Sequence, residues 1–296
     1  MYFDSESKIK KISHEMLLSG SVFQVLAWSK ESSELYPEPA FFETVNDLEH
    51  LTFSKYCAVN LSKYLIKEMD KEGKTLVFMR PCDTFNLNVL LKENQIKREK
   101  IYVVGVGCDG VVKVNEGEEV GLIDVCEICT KTEHMIYDEL INADQKDRKT
   151  TDKSHRFLSV KNIEELSTDE KYDFWQNHLK KCIRCNACRN ICPVCFCVDC
   201  VFDSTKMDSR QKVNASTFEE QMFHIIRAYH VAGRCTDCGR CQNACPAGIK
   251  LNLLNRKFIK EINDMYGKFQ AGEDVTTPAP LQSFNIQTDP EPSGKL

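Results

Sequence analysis

The chain has 296 residues, 42% of them hydrophobic and 28% charged, and a formal net charge of −5. That length and apolar content allow two domains with at least one sizeable core. The acidic balance excludes the broadly basic surface of a nucleic-acid binder. No apolar run reaches the roughly 18–20 residues of a membrane span, so direct membrane insertion is excluded and any membrane contact would go through a partner.

Met1 to Ser13 is charged and lacks the apolar core of a secretion signal. Up to residue 143, short apolar strands alternate with helical stretches. Residues 21–28 read as a strand, 59–71 as a helix, 75–79 as a strand, 82–93 as a helix and 101–106 as a strand. That alternation predicts an α/β domain with a mostly parallel sheet. Residues 144–168 read as a charged linker. From 169 to 270 the pattern is helical, with 169–181, 217–232 and 249–265 as the main helices. Phe218, Met222, Ile225, Ile226 and Tyr229 recur at helical spacing in the second of these, and Leu251, Leu254, Phe258 and Ile262 in the third. Pro, Thr, Ser and Asp dominate 271–296, which reads as a disordered tail.

Sixteen cysteines carry the chemistry. With no secretion signal and with spacings of two, they read as metal ligands in a cytoplasmic chain, not as a disulfide framework. Exposed clusters oxidise in air, so an anaerobe is expected. Cys182-x-x-Cys185-x-x-Cys188-x-x-x-Cys192-Pro193 is repeated as Cys235-x-x-Cys238-x-x-Cys241-x-x-x-Cys245-Pro246. This spacing lets one loop cap three corners of an iron–sulfur cube while a helical turn carries the fourth sulfur to another cube. Zinc, which takes four thiolates, is the competing occupant. Pro193 and Pro246 end the short helix, because proline has no backbone N–H to continue it.

The long, largely helical stretch between the runs resembles the α-helical ferredoxin module of succinate dehydrogenase iron–sulfur subunits and heterodisulfide reductase small subunits. The resemblance implies crossed ligation: Cys182, Cys185, Cys188 and Cys245 on one 4Fe–4S cluster, and Cys235, Cys238, Cys241 and Cys192 on the other. Just after the first run, Cys195, Cys197 and Cys200 add three thiols. They read either as ligands of a further cluster or metal, completed by a distant residue such as Cys57, or as loosely structural thiols.

In the amino-terminal region, Cys82 follows the strand at 75–79 in Arg80-Pro81-Cys82-Asp83. Cys108 follows the next strand in Gly105-Val106-Gly107-Cys108-Asp109-Gly110. Thiols at the carboxyl ends of neighbouring strands face one crevice. With Cys126 and Cys129 they make a four-thiolate cage, although each alone would read as a core residue. A strand–Pro-Cys–helix followed by a strand–Gly-x-Cys-x-Gly is similar to the beta-subunit family of deazaflavin-reducing hydrogenases and formate dehydrogenases, over about residues 21–139. That resemblance implies a further 4Fe–4S cluster on Cys82, Cys108, Cys126 and Cys129, with FAD beside it exchanging hydride with a deazaflavin. This chain differs in carrying its ferredoxin module on the carboxyl-terminal side.

Gly105-x-Gly107-x-x-Gly110 matches a dinucleotide fingerprint in letters, but residues 111–114 read as a strand where that motif needs a helix. His224 and His230 read as core or hydrogen-bonding residues, since eight thiolates already serve two cubes. Arg184, Arg189, Arg234 and Arg240 flank the runs, either as solvated side chains or as charges that raise cluster potential. The expected function is an iron–sulfur electron-transfer subunit of an anaerobic oxidoreductase complex. Its partner would be a flavoprotein or metalloenzyme of the formate dehydrogenase, hydrogenase or heterodisulfide reductase type. An FAD-dependent dehydrogenase beta subunit and an iron–sulfur redox sensor are the alternatives.

Overall fold

The computed structural model describes residues 2–142, 153–203, 217–282, 287 and 289. It divides into two units, Met1–Lys153 with Gly272–Thr276, and Ser154–Ala271 with Thr277–Leu296.

The first unit runs α1 (Tyr2–Leu18), β1 (Gln24–Ser29), β2 (Glu38–Phe42), β3 (Leu51–Thr52), β4 (Thr75–Met79), α2 (Pro81–Lys92), β5 (Ile101–Val106), β6 (Val112–Asn115), β7 (Glu118–Leu122), α3 (Asp124–Glu127) and β8 (Glu139–Ile141). Its main sheet has the order β2-β1-β4-β5-β8, with β3 also on β1. The pairs β1–β4, β4–β5 and β5–β8 are parallel, while β2 and β3 lie antiparallel to β1. Every residue of β1 and β4 is buried. Continuous apolar runs of this kind form central parallel strands covered on both faces. The pairing Met79↔Gly105 sets the carboxyl ends of β4 and β5 level, and Cys82 and Cys108 leave the sheet from that edge. After Gly110 the chain forms the β6–β7 hairpin, with Glu116 and Gly117 at positive φ. That is the backbone of a two-residue hairpin turn and leaves no helix for a pyrophosphate.

The helix expected over 59–71 is instead a 3₁₀ segment, Ser62–Glu68. Asn60 Oδ1 accepts from both the N–H and the hydroxyl of Ser62, a local side-chain bond that competes with α-helical pairing.

The second unit is helical: α4 (Leu158–Glu164), α5 (Thr168–Leu179), α6 (Ala187–Asn190), α7 (Thr217–His230), α8 (Arg240–Asn243) and α9 (Leu251–Tyr266). Ser167 and Glu170 form a reciprocal capping box that starts α5. The linker expected over 144–168 is shorter than its charge suggests, and residues 143–152 lie outside the described set. Residues 158–164 form α4 because Val160 is buried and Glu164 accepts from Lys257 at 2.5 Å and from Lys260 at 3.2 Å. The expected tail is likewise shorter. Ala271 and Ala279 are buried, and Gly272 O accepts from Asn88 Nδ2 at 3.0 Å. Residues 283–286, 288 and 290–296 lie outside the described set. Among the described residues, no helix is long and apolar enough to cross a membrane.

Candidate metal centres

The two cysteine runs fold as one backbone unit used twice. In the first, Arg184 (φ 53°) and Asn186 (φ 59°) are left-handed; in the second, Asp237 (φ 60°) and Gly239 (φ 68°) occupy the matching places. Alternation of this kind turns successive N–H groups toward one side and makes a concavity for negative charge. The Arg184 N–H points at Cys182 Sγ at 3.4 Å. One-turn helices follow, closed by Ile191 N–H to Ala187 O at 2.9 Å in α6 and by Ala244 N–H to Arg240 O at 3.0 Å in α8. The fourth cysteine of each run closes the repeat, through Cys192 N–H to Arg189 O at 3.2 Å and Cys245 N–H to Gln242 O at 3.1 Å.

Cys182, Cys185, Cys188 and Cys245 line one open-mouthed cavity. Three of these belong to the first run and the fourth to the second. The rest of the wall is mostly apolar, with Ile183, Phe223, Ile249 and Leu251, and the polar Asn186 and His224 beside them. Burial pushes the Cys188 thiol up, and negative charge on Cys245 and Cys185 pushes it further, against the pull of Arg227. The second set answers it. Cys235 is partly exposed as a residue, but its sulfur is enclosed by protein. Burial, then the charges of Cys238, Asp237 and Cys192, raise its thiol well above the ordinary range. Burial carries Cys241 up to about 12, with Cys192, Cys238 and Cys188 adding to the rise.

Thiols held this high are protonated at neutral pH unless a cation replaces the proton, which is what binding to iron does. Four sulfurs around a largely apolar cavity, with buried N–H donors beside them, therefore fit a cube. Among the described residues, no three Cys, His, Asp or Glu groups stand at the spacing of a single ion. A cube is broader than one ion and holds its ligands further apart.

Helix α7 meets these sites with a face other than the apolar stripe of the sequence. Phe218, Met222 and Tyr229 are exposed, whereas Phe223, His224, Arg227, Ala228 and Val231 are buried. The inward side looks onto thiolates, which favour a cation and N–H donors over more hydrocarbon. Burial, with Arg227 and Arg184 nearby, drives the His224 pKa down to about 3, so the ring is neutral. Neither ring nitrogen has a hydrogen-bond partner among the described residues. Sequence reasoning placed His224 in the core but missed that it walls a cysteine cavity, and it missed Arg227 altogether. His230 is exposed. Of the flanking arginines, Arg184 stacks over Phe223 at 4.3 Å and donates to Glu219 O at 3.1 Å. Arg234 stacks over Phe196 at 4.9 Å and donates to His230 O at 3.0 Å. Arg240 is buried, and Arg189 donates to Asn190 Oδ1 at 3.5 Å.

In the first unit, Cys82 opens α2, where the helix dipole favours a thiolate. Cys108 Sγ accepts from Gly110 N at 3.3 Å, and Cys126 Sγ from Val111 N at 3.4 Å. These two thiols thus sit on either side of one turn. The buried Arg80 beneath them feels the charge of both Cys82 and Cys108. Cys129, half-buried, donates to Lys131 O at 3.7 Å. Its N–H reaches Cys126 O at 3.4 Å, which ties it to the same corner.

Cys57 is the distant residue expected to complete a set with Cys195, Cys197 and Cys200. It lies fully buried in the first unit, with its sulfur accepting from Ser54 N at 3.3 Å, and they lie in the second. Burial pushes its thiol up to about 11. Within the first unit it belongs to the buried core. Cys195 and Cys200 are half-buried and Cys197 is exposed.

With this geometry established, residues 178–249 match the family model described as a 4Fe-4S dicluster domain. An F420-dependent formate dehydrogenase subunit beta of Methanocaldococcus jannaschii is 24% identical over 334 aligned positions, covering 84% of this chain and 86% of the relative. The chain is a homologue of that beta subunit. A second such protein, F420-dependent formate dehydrogenase 1 subunit beta of Methanococcus maripaludis, is 23% identical, covering 73% of this chain and 78% of its own length. The homology spans far more than the dicluster match, so it takes in the α/β unit as well.

Proposed function

We propose that this chain is the iron–sulfur electron-transfer subunit of a cytoplasmic oxidoreductase complex, relaying single electrons to and from a partner flavo- or metalloenzyme. The observation that carries the reading is the cavity walled by Cys182, Cys185, Cys188 and Cys245. It draws its fourth sulfur from the other run, as crossed ligation requires. On this reading Cys192 completes the second set with Cys235, Cys238 and Cys241. A bound cube supplies one-electron storage.

The chain's own residues do the rest. Phe223, Ile249 and Leu251 set apolar surface beside the sulfurs, lowering the local dielectric, and the left-handed loops aim N–H groups inward. Cys82, Cys108, Cys126 and Cys129 are read as the ligands of a third cluster, supported by Cys82 and Cys108 leaving the β4–β5 edge beside Arg80 and by Cys126 lying against the turn that carries Cys108. The protein sets distance, insulation and charge, and bond-making belongs to the partner. The names of the relatives make a formate-converting subunit the first partner to test.

The test is an anaerobic inventory of iron, sulfide and flavin per chain, followed by reductive titration. About eight iron atoms for the pair, or about twelve with the third cluster, support the reading. Stoichiometric zinc in place of iron would overturn it, and stoichiometric FAD would move the chain to a hydride-converting enzyme.

A further inference from the structure

Arg227 is the charge that the two sulfur sets share. It lies on α7 with 2% of its surface exposed, where a long cationic side chain is rarely found without partners. Burial pulls its pKa down, and the thiolates of Cys241, Cys188, Cys192 and Cys195 more than reverse that pull. Cys188 belongs to the first set; Cys192 and Cys241 belong to the second. Its one protein hydrogen bond among the described residues runs from Nη2 to Asn255 Oδ1 at 3.4 Å. Asn255, also buried, turns its Nδ2 toward Cys241 Sγ at 3.7 Å. Nε and Nη1 of Arg227 have no acceptor among the described residues. Buried donors of a cation left without an acceptor cost several kcal/mol, so an acceptor belongs there.

We propose that Arg227 is a positioning charge for both clusters, offering its unpartnered Nε and Nη1 donors to the bound clusters and raising both reduction potentials together. The inference rests on the paired-cluster reading above. Each electron taken up adds one negative charge to a cube, and a fixed cation between two cubes stabilises that charge at either. Hydrogen bonds to the sulfurs and nearby charge are the protein's usual means of setting such potentials.

The experiment is an EPR-monitored potentiometric titration of the full chain, with iron counted in each sample, comparing wild type with Arg227→Gln and Arg227→Lys. The glutamine variant should lower the equilibrium preference for the reduced form about tenfold at both clusters, ~59 mV for a one-electron couple. The lysine variant, which keeps the charge without the fork, should shift both midpoints in the same direction by less. Loaded R227Q with unmoved midpoints, or a shift at one cluster only, would overturn the inference. If R227Q sheds iron, loaded R227K decides by the same criterion, and loss of iron from both variants would assign Arg227 a purely structural role. Paired signals with unmoved midpoints sink this inference alone. A wild-type chain without paired signals sinks the paired-cluster reading and this inference with it.

Discussion

Arg80 and Asp83 form an ion pair at the base of the β4–β5 edge, and removing the cation should unfold the first unit readily. The pair is buried on both sides, at 2% and 0% exposure, with Nε to Oδ2 at 2.9 Å. Arg80 also donates through Nη1 to Cys57 O and through Nη2 to Val59 O at 2.9 Å, and stacks over Trp28 at 5.0 Å. Replacing it by methionine leaves the Asp83 carboxylate buried with little but the Arg80 N–H, at 3.3 Å, to offset its charge. Breaking a buried pair from one side costs about 3–5 kcal/mol, roughly 6–20 °C in Tm for a unit of this size. Asp83→Asn should cost less, because the guanidinium keeps two carbonyls and an indole face. The double variant Arg80→Met/Asp83→Leu should recover most of the R80M loss, since an apolar pair of similar volume replaces a buried ion pair at little cost. The assay is urea and thermal unfolding in a Trp175→Phe background, where Trp28 fluorescence reports the first unit. R80M within about 1 kcal/mol of its parent, or D83N costing more than R80M, would refute the reasoning.

Three further outcomes follow from the same geometry. Asp237 accepts from Arg156 at 3.1 Å and Arg256 at 2.8 Å while holding a left-handed φ of 60°; Asp237→Asn keeps the backbone preference, yet should cost about 3 kcal/mol and iron from the second set, read by melting and iron assay. Gly272 sits at φ 79°, where an added Cβ would overlap the Phe85 carbonyl, so Gly272→Ala should cost about 2 kcal/mol or more, measured by thermal unfolding of the first unit. Glu164 is held below the usual carboxylate range, chiefly by its hydrogen bond from Lys257. A depressed folded pKa stabilises above the ordinary value and is lost as pH falls through the folded one. Glu164→Gln should therefore cost up to about 1 kcal/mol at pH 7, with the difference from wild type vanishing in acid melts.

The parts of the fold that were legible in the sequence are those with uniform burial. The strands at 75–79 and 101–106 coincide with β4 and β5 because nearly every side chain in them is apolar and buried. Helix α1 left no such trace. Among its described side chains the inward stripe is Ser5, Ile9 and Ser13, at i, i+4 and i+8, so two of those three buried residues read as polar. Strand β2 begins Glu38-Pro39 and is only half covered, which fits an edge, where proline costs no ladder bond. At the candidate metal centres the cysteine spacing announced the candidate ligands, but the electrostatics stayed hidden. A helix facing thiolates hides its cation and imidazole inside and leaves Phe218 and Tyr229 outside, the reverse of the hydrophobic rule by which α7 was read. Arg227 lies outside the cysteine runs, and only the fold brings it within reach of the charges of Cys188, Cys192 and Cys241.

The most direct test of the central claim is the EPR spectrum of reduced Cys245→Ser beside that of Cys188→Ser, with Cys192→Ser as the contrast. If the runs exchange their fourth ligands, C245S and C188S disturb the same cluster signal and each sheds up to about four iron atoms, while C192S disturbs the other. If instead C245S alters the signal that depends on Cys238 and Cys241 and spares the one lost in C188S, each run ligates its own cluster and the crossed account is wrong.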